Sequence, residues 1–141
     1  MGAVPTLAAP PGPRAGPRGM PVVGDIVRQH AEMAAFLWTV YDWHMLNPEA
    51  NPEMDEVRLG RLVERLEAHL DGLRVAGAEG LAIAEALFAE YPEAGELFVV
   101  RMLAPGAGPT AIRDLDLGKV RAYLAAHLPP NGHSSQNRPS P

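Results

Sequence analysis

Between Val57 and Ala76 the chain reads VRLGRLVERLEAHLDGLRVA. At 100° per residue, Leu59, Leu62, Val63, Leu66, Leu70 and Leu73 fall within an arc of about 100°. Every strong charge of the segment except Arg74 lies outside that arc. The pattern predicts an amphipathic helix whose leucine face is covered by other helices. Gly77 follows it and can supply a left-handed cap.

The stretch before it predicts a longer helix, from about Asp25 as N-cap to about Leu46. Asn47-Pro48 stops that helix, because proline disfavours the helical state of the preceding residue. Ile26, His30, Met33, Leu37, Tyr41 and His44 form one stripe, widened by Val27, Ala34, Trp38 and Met45. Phe36 and Trp43, seven residues apart, lie on the far shoulder with Gln29 and Glu32. A helix apolar over most of its circumference is buried on more than one side. Such a helix is either central to a bundle, or it carries Phe36 and Trp43 as an exposed anchor pair for a protein partner. Aromatic side chains dominate interface energetics.

A third helix is expected from Glu79 to Tyr91, with large residues (Leu81, Leu87, Phe88, Tyr91) on one face and Ala82, Ala86 and Ala89 opposite. The alanine face either admits a close neighbouring helix or is a solvated face of high helix propensity. Pro92 suits the first turn of a fourth helix, with Glu93 and Glu96 near its positive end. That helix ends near Leu103, and PGAGP (Pro105 to Pro109) is a loop. Thr110 or Asp116 caps a last helix reaching about Leu128, with Ile112, Leu117, Val120, Leu124 and Leu128 apolar. No stretch reads as a strand. The fold class expected is all-α: four to five helices, a long antiparallel pair, then a helical hairpin and a closing helix.

Residues 1–20 are rich in Pro, Gly, Ala and Arg and cannot bury enough apolar surface to offset their ordering entropy. They are expected to be a disordered tail, with Met20 as the native initiator. Residues 129–141, polar and proline-bounded, are expected to be a second tail. The helical domain then spans 21–128.

Charge sharpens the picture. Of 12 basic residues, Arg14, Arg18 and Arg138 lie in the tails, whereas all 17 acidic residues lie between them, so the −5 of the whole chain becomes −8 in the domain. An acidic body argues against nucleic acid and anionic lipid as partners. No apolar run approaches a membrane span and no secretory leader is evident, so a cytoplasmic protein is expected. With no cysteine, disulfides and thiolate metal sites are excluded.

Candidate chemistry is sparse. His30 and His44 share a stripe but stand about 21 Å apart along one helix axis, too far for one ion. No HExxH or ExxH pair exists. A small metal-binding bundle or enzyme could use His30, Glu32 and His69 across two helices, although His30 and Glu32, two residues apart, face different ways. The glycine-rich stretches lack the strand–glycine–helix setting of phosphate cradles. Arg58, Arg61, Arg65 and Arg74 lie on the polar arcs of the second helix, where Glu64, Glu67 and Asp71 are expected to neutralise them as a solvated face. No catalytic residue, metal or cofactor is implied.

Val22 to Trp38 (VVGDIVRQHAEMAAFLW) and Arg61 to Gly80 (RLVERLEAHLDGLRVAGAEG) resemble the opening of a family of bacterial HEAT-repeat-like proteins, and Tyr91 to Leu103 (YPEAGELFVVRML) extends the likeness. That family is commonly encoded beside type VI secretion genes. The resemblance covers residues 20–104 and is most distinctive from His69 to Gly77. It implies a HEAT-like hairpin and a link to that secretion apparatus, and it implies no catalytic residue. Family members carry further repeats, whereas here residues 110–128 would cap the stack, their charges at Arg113, Asp114, Asp116, Lys119 and Arg121 facing outward. The expected function is a non-catalytic interaction or scaffold module binding a protein partner or a second copy, with Phe36 and Trp43 as contact residues.

Overall fold

In the computed structural model, residues 20–130 are described, and five α-helices account for most of them: α1 Met20–Leu46, α2 Glu56–Val75, α3 Ala78–Glu90, α4 Ala94–Leu103 and α5 Leu117–His127, with a single 3-10 turn at Ile112–Asp114. The described residues contain no strand, so the fold is all-α. The two expected tails lie outside the described residues, apart from Met20, Pro129 and Pro130.

The predicted leucine face of α2 is buried in full: Leu59, Leu62, Val63, Leu66, Leu70 and Leu73. Asp55 caps this helix, its side chain accepting from the Arg58 N–H at 2.9 Å. α1 runs antiparallel to α2. His30 of α1 meets His69 and Gly72 of α2, while Leu37 and Val40 of α1 meet Leu62 and Met54 at the other end. α1 also packs on α3 and α4 and is the central helix of the bundle. Its buried arc is Val27, Ala31, Ala34, Ala35, Leu37, Trp38, Tyr41 and His44.

Two close approaches set the helix spacing. At Gly95 an added Cβ would stand 2.6 Å from the Ala35 carbonyl oxygen and 2.7 Å from Thr39 Oγ1, so α4 rests its first turn directly on the α1 backbone. At Gly80 an added Cβ would overlap the Leu73 carbonyl oxygen, so the α2–α3 corner closes only around a glycine. Gly77, at φ +65° and ψ −133°, turns the chain between them in a conformation open to glycine. Its φ has the expected sign, but it precedes α3 as N-cap, and Ala76 ends α2.

Several local expectations are corrected. α1 begins at Met20, not at Asp25, since Pro21 fits a first helical turn and lets the helix start earlier. Pro92 stands outside α4, which starts at Ala94 with Glu93 as N-cap. Asp116 rather than Thr110 caps α5, its side chain accepting from Lys119 N–H at 3.1 Å, and Ile112 belongs to the separate 3-10 turn. Of the two readings of the alanine face of α3, the solvated one holds among the described residues, where Ala82, Ala86 and Ala89 are exposed. Arg121 does not face outward: its Nε donates to Asp42 of α1 at 2.8 Å, tying α5 to the central helix.

Candidate interaction face

Because α1 is a central helix, nearly all of its arc is covered. One strip is not. It lies opposite Ala31 and Trp38, between α2 on one side and α4 on the other. Phe36 is 60% exposed and Trp43 is 53% exposed on this strip. Gln29 and Glu32 are exposed beside them, and Ile26 (50%) lies at its edge. Ile26 and Met45 were expected in the buried stripe of α1. Ile26 is exposed at the edge of the open side, whereas Met45 shares the angle of the buried Trp38 and is exposed in the last turn of α1.

Phe36 is a ridge between two grooves. The groove toward α2 encloses about 300 Å³ and is floored by Leu37, Val40, Met54 and Leu62. Arg58, Arg61 and Arg65 line its far wall. These arginines recur at i, i+3 and i+7, which places them on one face of α2. The groove toward α4 also encloses about 300 Å³, lined by Ala35, Thr39, Gly95 and three acidic residues, Glu32, Glu93 and Glu96. The open face of α1 thus has a basic wall and an acidic wall on either side of one aromatic ring.

The basic wall is less neutralised than the sequence suggests. Arg74 pairs with Asp71 at 3.0 Å and Arg58 with Asp55 at 3.9 Å. Glu67 is turned away: its carboxylate accepts the Ile112 N–H at 2.8 Å and anchors the 3-10 turn on α2, helped by Arg113–Glu56 at 2.9 Å. Among the described residues Arg61 and Arg65 have no ion pair. On the acidic wall, burial raises the Glu96 carboxyl above its ordinary range, and the charge of Glu93 adds to that. Glu32 pairs with Arg28 at 3.0 Å, and Arg28 reaches on to Glu90 at 2.9 Å.

The fold joins His30 and His69 and leaves Glu32 apart. The two Nδ1 atoms are 3.0 Å apart, with ring centroids at 5.2 Å. Gly72 makes this approach feasible, because a Cβ there would stand 2.8 Å from the His30 ring. Burial, then the neighbouring His30 and Arg65, lowers the His69 pKa from 6.5. No group of three or more His, Cys, Asp or Glu side chains suited to a metal ion occurs among the described residues. His44 is buried on another part of α1 and takes no part in the pair.

Sequence reasoning named Phe36 and Trp43 from their shared angle. It missed the arginine wall as part of the same site, although the 58/61/65 spacing carried that signal. The acidic wall, drawn from α1 and the start of α4, had no local signature. No helix of the described residues is long and apolar enough to cross a membrane. No family model, curated protein or solved structure matches this chain.

Proposed function

We propose that this chain is a non-catalytic protein-interaction module that presents the open strip of α1 to a protein partner in the cytoplasm. One observation carries the reading: Phe36 and Trp43 stand 60% and 53% exposed on a helix that buries Ala31 and Trp38 on its opposite side. Two aromatic rings in water on a central helix cost solvation that a partner would recover. The resemblance of residues 20–104 to HEAT-repeat-like proteins makes a component of a type VI secretion apparatus the first partner to try. Affinity capture from the native host tests the reading. Wild-type bait is expected to retain a specific protein that the Phe36→Ser/Trp43→Ser bait loses at unchanged melting temperature. Equal recovery by both baits would overturn it.

A rival reading is a metal-binding helical bundle using His30, Glu32 and His69. The 3.0 Å approach of the two imidazoles favours it; the Arg28 partner of Glu32 does not. Elemental analysis of purified protein separates the two, a stoichiometric metal lost in His69→Ala favouring the rival.

A further inference from the structure

The open side of α1 repeats in heptads, as its buried arc does through Val27, Ala34 and Tyr41. Ile26, Met33 and Val40 recur every seven residues, and so do Gln29, Phe36 and Trp43, offset from the first set by three. These are the a and d positions of a coiled-coil seam, sustained for about 27 Å of helix. Over so short a length the mismatch between 3.5 and 3.6 residues per turn moves the stripe by only tens of degrees. Ala31 and Trp38, buried in the protein's own core, sit at the f position directly opposite. Ala31 and Trp38 serve the protein's own core, and Met33 and Val40 also pack partly against it, while Ile26, Phe36 and Trp43 stand exposed in the residue pattern of a helix–helix interface.

We infer that the occupant of this strip is a second copy of the same chain, its α1 lying parallel to the first about a twofold axis that runs along the helix pair. This deepens the interaction reading above and rests on it. The charges choose the orientation. The basic wall (Arg58, Arg61, Arg65) and the acidic wall (Glu32, Glu93, Glu96) flank Phe36 at the same height along α1. A twofold axis along α1 exchanges left and right, so each basic wall meets the partner copy's acidic wall, twice over. A twofold axis across α1 makes the helices antiparallel and keeps left opposite left, which sets arginines against arginines. Only the parallel arrangement is self-complementary, and isologous contact demands self-complementarity. Phe36 then meets Phe36 on the axis, with Trp43 below and Gln29 above. Arg61 and Arg65, without ion pairs in the single chain, receive Glu93 and Glu96. Rim charges of this kind select the partner and steer encounter, while the aromatic seam supplies the affinity.

The full chain tests this directly. Sedimentation across a concentration series should give a monomer–dimer equilibrium that weakens as salt is raised. Phe36→Ser should leave a folded monomer. Arg61→Glu/Arg65→Glu alone and Glu93→Arg alone should each weaken self-association about tenfold or more. An equimolar mixture of those two variants should form a dimer again, because each reversed wall now faces its opposite. The absence of native cysteine makes orientation measurable. Gln29→Cys and Asn47→Cys, at the two ends of the seam, should each cross-link to their own kind under mild oxidation. Cross-linking only between a Gln29→Cys chain and an Asn47→Cys chain means antiparallel helices and overturns the inference. A monomer at hundreds of micromolar also overturns it. If Phe36→Ser still loses a captured host protein while wild type is monomeric, the interaction reading survives and the second-copy inference falls.

Discussion

Trp38 of α1 and Phe98 of α4 lie face to face, their ring centroids 3.9 Å apart and their planes 4° from parallel. Both rings are almost completely buried, and Tyr41 packs beside Trp38 at 5.8 Å between centroids. The stack joins the central helix to the second half of the chain, one turn beyond the point where Gly95 lets the backbones touch. Phe98→Ala would remove a full ring from a packed centre and is expected to cost about 3–5 kcal/mol. Urea unfolding of the variant checks it, and a loss below about 1 kcal/mol would mean that the two halves are not coupled through this stack.

Leu66 and Trp43 set the contrast between core and surface. Leu66 is 0% exposed in the middle of the leucine face of α2. Leu66→Ala is expected to destabilise by about 2–5 kcal/mol. Trp43→Ala removes a larger side chain yet should cost less than about 1 kcal/mol, because half of that side chain is already in water. Its effect should be read in binding or self-association instead. Thermal melts of the two variants decide the order.

Gly95→Ala opposes two effects. Alanine favours a helix over glycine by up to about 1 kcal/mol. Its methyl group, however, would press on Thr39 Oγ1 and on the Ala35 carbonyl oxygen, which belongs to the α1 backbone and cannot yield without shifting the helix. Overpacking at about 1–3 kcal/mol wins. A lowered denaturation midpoint is expected, and an unchanged or raised one would mean that α4 can lift off α1 without loss.

The His30–His69 pair makes stability depend on pH. Burial first, then His30 and Arg65, holds the His69 pKa below 6.5 in the folded chain. Above that value both folded and unfolded His69 are neutral. As the pH falls through 6.5, the unfolded chain takes up a proton that the folded site resists, so stability is lost toward acid. The hydrogen bond between the two Nδ1 atoms also survives one added proton but not two, since one nitrogen must accept. Wild-type Tm is expected to fall between about pH 7 and pH 5, within the ordinary histidine range. His69→Gln should flatten that fall, and an identical pH profile for the variant would refute the assignment.

The periodicity of α2 was legible because it is a one-dimensional property. Leu59 through Leu73 share an angle at 100° per residue whatever surrounds them, and an apolar arc of that width must be covered. Asn47-Pro48, Gly77 and the PGAGP loop likewise act through their own backbone preferences, so the helices and their order followed from local chemistry. α1 was harder. Its residues are apolar around most of the helix, and periodicity cannot say which arc a neighbour will leave open.

The sequence by itself determined an all-helical chain, its punctuation, and the angles at which Phe36 and Trp43 stand. Tertiary structure decided that α2 and α4 flank that angle without covering it, that Arg61 and Arg65 face Glu93 and Glu96 across one ring, and that His30 reaches His69 over Gly72. The physical reason is separation along the chain. The angle of a side chain on its helix is fixed by residues within a turn or two, whereas its neighbours are chosen by close approaches such as Gly80 on Leu73 and Gly95 on Ala35, made by helices that only the packed core brings together.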